Sequence, residues 1–342
     1  KNTVSIHYCL GGGLPCCVDN QRPGNLSRRE IALGNLDIPG PLAGKLQERE
    51  ILNNRSSGER PIILTTDFGL TDSYVGVMKG VILGINPRAA IVDLTHQIQP
   101  QNILQASFTL ATSYRFFPNE SIHAVVVDPG VGTTRQAILL ITPHGRFLAP
   151  DNGVLSGVLG DYVDVAPSKP GSVSVPDGLT AISLTNPTYW LESVSQTFHG
   201  RDVFAQVAAH LSMGVSDTDL GDPIGDIVWL PAPQPVREGN TISGEIIVVD
   251  HFGNLVSNIP ASMIPGDKTS GKIAMVEIGG QNILGLSRTF HDAAQPEAPS
   301  GSNKLVALMG SNGYLEVAYP DGSAAALLDA GVGEPVRVRI DS

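Results

Sequence analysis

From Pro61 onward, short apolar runs alternate with stretches of helical period. Ile62-Ile63-Leu64 is too short for a buried helix and runs into Thr65-Thr66-Asp67-Phe68-Gly69, so it reads as a buried strand that hands polar groups to a loop. Helical periodicity follows over residues 73–85, and Asn86-Pro87 stops it. Residues 90–94 predict a second strand, 102–115 a second helix, and 123–127 a third strand delivering Asp128-Pro129-Gly130-Val131-Gly132. Residues 137–142 and 146–149 read as a strand pair, and a helix over 202–213 completes this half. Strands alternating with helices, with polar residues at the strand ends, predict an α/β domain. Its central sheet is mainly parallel and its site lies at the carboxyl edge.

The pattern then changes twice. Residues 165–178 are rich in Pro, Ser and Gly and read as an inserted loop. Leu230-Pro231-Ala232-Pro233-Gln234-Pro235 is a stiff linker. Beyond it, residues 241–249, 272–278, 304–309, 315–318 and 335–340 are short β segments between turns, which predicts a smaller all-β, barrel-like domain. Residues 1–60 show no sustained period and carry eight Lys/Arg against six Asp/Glu. They read as an N-terminal extension, partly disordered or assembly-related, with one short helix near 42–52. The predicted organisation is an extension over 1–60, an α/β domain over 61–229, a Pro-rich linker over 230–240 and a β-barrel domain over 241–342.

Composition narrows the partners. The 342 residues suffice for two domains, and 42% hydrophobic with 16% charged is a globular balance. A net charge of -11 argues against nucleic acid or an anionic membrane, since both need a basic face. No apolar run approaches the roughly 20 residues that span a bilayer. Cys9, Cys16 and Cys17 all lie near the N-terminus, so the main body is not a disulfide scaffold. They read as an incidental cluster in a mobile tail, with redox activity or pairing between chains as the alternative. The expected compartment is the cytoplasm. The start at Lys1 rather than Met leaves export after signal cleavage as the alternative.

Five constellations carry candidate chemistry. Asp67 and Asp72, five apart at a strand end, suit ribose hydroxyls or an ammonium group, or else a helix cap. Asp128 and Arg135 flank a glycine loop that lacks the Gly-Lys-Ser/Thr ending of a P-loop; they form either a site or a structural ion pair. Asp151-Asn152-Gly153 reads as a turn, structural rather than chemical. Thr197-Phe198-His199-Gly200 sets a histidine between an aromatic and a glycine at a helix start, a candidate base or ligand orienter. Asp250-His251-Phe252-Gly253-Asn254 offers an aromatic and an amide for a nucleobase, or a hairpin turn. The remaining histidines, among them His96 and His123, show no metal-ligand spacing, and no nucleophile elbow is present.

In this order the motifs resemble the adenosine-forming S-adenosyl-L-methionine hydrolases, relatives of fluorinase and chlorinase. The carrying motifs are Thr-Thr-Asp-Phe-Gly (65–69), Asp-Leu-Thr-His (93–96), Val-Asp-Pro-Gly-Val-Gly-Thr-Thr-Arg (127–135), Ala-Pro-Asp-Asn-Gly (149–153), Thr-Phe-His-Gly-Arg-Asp (197–202) and Asp-His-Phe-Gly-Asn (250–254). The resemblance implies an α/β domain plus a β-barrel domain in a homotrimer, with each site between one subunit's first domain and a neighbour's second. It implies a catalytic set of Asp128, Arg135 and His199. It places Asp67 on the ribose, Asp72 and Asp250 near the methionine amine, Phe198, Phe252 and Asn254 around the nucleoside, and Ser311 at the methionine end. The extension over 1–60 and the insertion over 165–178 depart from the usual core.

The implied substrate is a sulfonium, so methionine already leaves well. No metal or cofactor is expected, and the task is to hold water in line with C5′. Halide-dependent adenosyl transfer is the first alternative. The related halogenases carry an uncharged residue, often Tyr, where this chain has Asp128, whose charge would repel a halide. A non-catalytic nucleoside-binding or assembly protein is the second.

Overall fold

Three apolar strands, Ile62–Thr66 (β1), Ile91–Thr95 (β2) and Ile122–Val126 (β3), form the parallel centre of the first domain. The computed structural model describes residues 60–264, 273–290 and 305–340. β1 and β3 are buried along their whole length, as parallel strands covered on both faces must be. β2 is the edge strand and leaves Val92 exposed. Helix Tyr74–Ile85 (α1) turns Val75, Met78 and Ile82 inward, one stripe of a helical period. Helix Ile103–Ala111 (α2) starts at Asn102, whose side chain accepts the Gln105 N–H at 2.9 Å.

Ala137–Thr142 (β4) and Gly145–Pro150 (β5) are the expected antiparallel pair, and β5 also lies parallel to β3. The domain continues through Ser156–Leu159 (α3), Gly171–Ser174 (β6), Thr180–Leu184 (β7), Ala205–Ser212 (α4), Gly221–Ile224 (β8) and Asp226–Trp229 (β9). The main sheet has seven strands in the order β2-β1-β3-β5-β4-β7-β8. It is parallel from β2 to β5 and antiparallel beyond. Alternate residues of β3 feed two cores. Ile122, Ala124 and Val126 pack with α1 and α4, while Val125 and the following Val127 pack with Ala106, Leu110 and Trp229.

Three sequence expectations change here. The insertion over 165–178 contains β6, which pairs with β9 in a small ribbon of its own. β6 is largely exposed, so it carries no apolar alternation to betray it. The helix over 102–115 breaks after Ala111, and Tyr114–Phe116 forms a separate 3-10 turn. The helix over 202–213 begins earlier, as a π-helical turn over Gly200–Phe204, a rare geometry often found at functional sites.

The second domain is an eight-stranded antiparallel, barrel-like sheet. Its first strand, Val236–Glu238 (β10), lies within the expected linker and pairs with Thr241–Val249 (β11). Leu255–Pro260 (β12), Ile273–Ile278 (β13), Gln281–Leu284 (β14), Val306–Met309 (β15), Tyr314–Ala318 (β16), Ala324–Leu328 (α5) and Pro335–Ile340 (β17) follow. β17 alternates cleanly, with Val336, Val338 and Ile340 buried and Arg337 and Arg339 exposed. β12 escapes the pattern because it buries polar residues. Ser257 donates to the Leu315 carbonyl, and Asn258 donates to the Pro233 carbonyl and accepts from the Glu245 N–H. Among the described residues no helix is long and apolar enough to cross a membrane. The readings for the extension, its cysteines and its short helix fall outside the described residues.

Candidate active site

The loops leaving β1, β2 and β3 meet the loop that precedes the π-helical turn, and they enclose a cleft of about 380 Å³. Asp67, Asp128, Phe198 and His199 line it. β3 ends at Val126, and Asn152 then donates to the Val127 carbonyl at 2.9 Å. That bond fixes the chain just before Asp128. The Asp151-Asn152-Gly153 segment is structural, as read from the sequence. Asp151 accepts the Val228 N–H at 2.9 Å, and Gly153 has φ +93° with Leu230 too close to admit a side chain.

Asp128 and Arg135 do form an ion pair, with their side chains only 5% and 10% exposed. Arg135 Nε donates to both carboxylate oxygens at 3.0 Å, and its Nη2 makes a further short bond to Oδ2. The same Nη2 lies 2.8 Å from His199 Nδ1. A guanidinium only donates, so Nδ1 is the acceptor, the imidazole is neutral, and its proton sits on Nε2. Burial and then the Arg135 charge both lower the His199 pKa, while Asp128 and Asp202 pull it the other way. One guanidinium therefore ties carboxylate and imidazole into a single unit. It is more than the local ion pair that spacing allowed.

Gly132 makes this meeting possible. Its φ is +76°, and an added Cβ would lie 2.3 Å from the Gln196 carbonyl oxygen. The Asp128–Arg135 loop therefore touches the Gln196 backbone directly.

Asp67 accepts the Gln101 N–H at 2.8 Å on one carboxylate oxygen. Gln101 itself sits at φ +67°, uncommon for a residue with a side chain. Behind Asp67, Thr66 and His96 are buried and their side chains meet at 2.8 Å. His96 lies 3.1 Å from Asp93, which is paired with Lys79 at 2.6 Å. The His96 carbonyl also accepts the Gly69 N–H at 2.8 Å, so this chain zips together the first two loops of the cleft. Sequence reading assigned His96 no role. Its signal was the proximity of His96 to Asp93 on a strand end.

One wall of the cleft is aromatic. Phe68, Tyr74 and Phe198 meet edge to face or tilted, with centroids 5.1–5.7 Å apart. Phe68 and Tyr74 were not singled out, because their spacing alone looks like ordinary helix-start packing. Asp72 is exposed and lies outside this lining, and it does not cap α1.

Asp250, Phe252, Asn254 and Ser311 are absent from the cleft lining and sit in turns of the second domain. Asp250 accepts the backbone N–H groups of Phe252 and Asn254 at 2.9 and 2.8 Å, and the Asn254 amide at 2.8 Å. Phe252 is 74% exposed at the tip. Buried Glu316 lies nearby, its pKa raised by burial and then by the Asp250 charge. Among the described residues no group of three or more His, Cys, Asp and Glu side chains converges as a metal site would.

A charged unit and an aromatic wall at the carboxyl edge of a parallel sheet, in an α/β domain followed by a β-barrel-like one, define a two-domain protein built around a small-molecule cleft. Comparison with known proteins gives the family. The chain belongs to the SAM hydroxide adenosyltransferase family: residues 62–221 match its N-terminal domain and residues 244–337 its C-terminal domain. It is 36% identical over 279 residues to the (R)-S-adenosyl-L-methionine hydrolase of Salinispora arenicola, covering 81% of this chain and 97% of that protein. A fluorinase of Nocardia brasiliensis is more distant, 28% identical over 83% of this chain and 99% of its own. The crystal structure of an uncharacterized conserved protein from Thermotoga maritima superimposes with a TM-score of 0.69 at 34% identity, over 81% of this chain and 99% of that one.

Proposed function

We propose that this chain is an enzyme that hydrolyses S-adenosyl-L-methionine to adenosine and L-methionine. The carrying observation is the Asp128–Arg135–His199 unit, in which a nearly buried ion pair is joined to a half-buried imidazole through one guanidinium at the wall of the cleft. A water oxygen attacks ribose C5′ and forms the new C–O bond. The C–S bond breaks with its electron pair going to sulfur, methionine leaves as a thioether, and one water proton is released. Neutral His199, with its proton on Nε2, donates to the water and orients it. Asp128 is the group able to accept the water's proton, and the Arg135 charge stabilises the developing hydroxide. Nothing in this sequence of steps calls for a metal or a cofactor.

Asp67 has one oxygen held by Gln101 and offers the other to ribose hydroxyls. Phe68, Tyr74 and Phe198 wall the nucleoside. Asp72 and Asp250 serve the methionine amine, Phe252 and Asn254 the nucleoside, and Ser311 the methionine end. These second-domain groups reach a cleft in a neighbouring subunit of a homotrimer. Two features support such packing. Gly76, Gly80 and Gly84 give α1 an open face beside exposed Val77 and Leu83, and the edge strand β2 exposes Val92. The compartment proposed with this substrate is the cytoplasm.

The sequence similarity to fluorinases keeps halide transfer as the rival reading, and the buried Asp128 charge opposes it. Incubation with S-adenosyl-L-methionine in H₂¹⁸O, with and without chloride or fluoride, separates the two. Adenosine labelled at its 5′ oxygen, formed at the same rate with halide, is the expected result; a 5′-halogenated nucleoside would overturn it.

A further inference from the structure

The reacting unit joins two loops that are distant in sequence, since Arg135 and His199 are 64 residues apart. Their mutual register decides whether Nη2 meets Nδ1. Asp202 sits one turn past His199, in the π-helical turn, and is completely buried. One of its carboxylate oxygens accepts from both the backbone N–H and the hydroxyl of Ser195, at 2.8 and 2.7 Å. The Ser195 oxygen in turn accepts the Phe198 N–H at 3.1 Å. The Asp202 carbonyl accepts the Leu191 N–H at 2.8 Å. Its other carboxylate oxygen pairs with Arg201, whose guanidinium lies 5.3 Å from the Phe198 ring centroid. The neighbours Val203 and Phe204 belong to the domain core. Asp202 therefore carries the rigidity of a core helix back into the loop over residues 191–199. Within that loop, Gln196 faces Gly132.

We propose that Asp202 is a positioning residue that sets His199 against Arg135 through Ser195, in the hydrolysis assigned above and resting on that assignment. Asp202 makes no hydrogen bond or ion pair with Asp128, Arg135 or His199, and its charge also pulls the His199 pKa up. Ser195→Ala leaves that charge in place, so it isolates the part of the effect that passes through the placement of the imidazole and its tautomer. The bond from Arg135 to Nδ1 keeps the ring proton on Nε2. If the loop shifts, that bond loosens and both tautomers become accessible.

The test uses Asp202→Asn and Ser195→Ala in the full chain, with two readouts. The first is kcat and KM for S-adenosyl-L-methionine. The second is the His199 tautomer, read from ring nitrogen shifts in protein carrying ¹⁵N-labelled histidine. Asn keeps the shape of Asp202 but turns an amide donor or a neutral oxygen toward Arg201. We expect kcat to fall about 10- to 100-fold with a smaller change in KM, because misplacing a reacting group by an ångström has that effect. We expect a single Nε2–H tautomer in the wild type and a mixture in the variant. Ser195→Ala keeps the backbone bond to Asp202 and loses the hydroxyl's bonds to Asp202 and from the Phe198 N–H, so kcat should fall about threefold with a partial tautomer shift. It also carries the test if the buried Asp202→Asn change prevents folding. Folded variants with the wild-type tautomer and kcat within about twofold of the wild type would overturn the proposal, since loop register would then not depend on this carboxylate. A wild-type protein that leaves S-adenosyl-L-methionine intact would remove the assigned reaction, and the tautomer comparison would still decide the positioning role.

Discussion

Two turns of this protein hold candidate site residues in opposite ways. In the first domain, Asp128 and Arg135 are nearly buried, and their unit is completed by His199 from a loop 64 residues further on. In the second domain, Asp250 takes all its described hydrogen bonds from within four residues, and the turn leaves Phe252 74% exposed. The first arrangement is built by tertiary contacts and is already organised for chemistry. The second takes its side-chain bonds from its own short sequence, is anchored where the Gly253 carbonyl accepts the Ala325 N–H at 2.9 Å, and leaves an apolar tip uncovered. The proposed site, shared between subunits, needs both kinds of turn: one that sets the reacting groups and one that a neighbour's cleft would cover.

The comparison can be broken most directly at Asp128. Asp128→Ala should lower kcat about 1,000-fold, near 4 kcal/mol of transition-state stabilisation, while nucleoside binding measured by calorimetry persists. A turnover rate close to wild type would move the chemistry away from this unit.

The next effect concerns the strand that delivers Asp128. His123 lies in β3, fully buried, stacked on Phe147 at 4.8 Å, with neither ring nitrogen hydrogen-bonded. Burial lowers its pKa from 6.5 to about 4. The unfolded chain therefore binds the proton first. Stability is fully present above about pH 6.5, falls as pH drops toward 4 and levels off below, with a loss of about 3 kcal/mol from this group. Urea denaturation between pH 7 and pH 4 should show that decline, and His123→Phe should flatten it. An unchanged slope in the variant would assign the acid sensitivity elsewhere.

The smallest effect sharpens the contrast itself. Phe252→Ala should raise KM about tenfold, near 1.4 kcal/mol, with little change in kcat, since it removes a wall and no reacting group. In the proposed trimer, mixing Asp128→Ala and Phe252→Ala subunits should then restore wild-type KM in part of the sites. Mixtures that behave as the sum of the two variants would mean that both turns serve the same chain.

Much of the scaffold was legible because its signals are local. The strands β1, β3 and β17 announce themselves by apolar runs or alternation, and α1 by its buried stripe and its Asn-Pro stop. Elements that bury polar groups or little at all were not legible. β12 hides behind Ser257 and Asn258, and β6 is held by backbone bonds to β9. The site followed the same rule. Asp67, Asp128 and His199 were read from motifs beside glycines and line the cleft, and Arg135, read with them, bonds to two of the three. Tyr74 and Gln101 were missed, and His96 and Asp202, though inside quoted motifs, were given no part in the site, Asp202 being read with Arg201 as the local ion pair or cap that it partly is; each acts through a partner in a different loop or turn: Phe198, Asp67, Thr66 and Ser195 respectively.

The sequence by itself determined the order of elements, the two-domain plan and the motifs that line the cleft, since periodicity, turn chemistry and motif spacing are properties of neighbouring residues. Only the tertiary structure decided that Arg135 bridges Asp128 to His199, that the imidazole is neutral with its proton on Nε2, and that the second-domain residues stand apart from the cleft. The physical reason is that a hydrogen bond between two loops depends on packing distances to a few tenths of an ångström. Those distances are fixed by contacts such as Gly132 against Gln196 and Asp202 against Ser195, which no local pattern encodes.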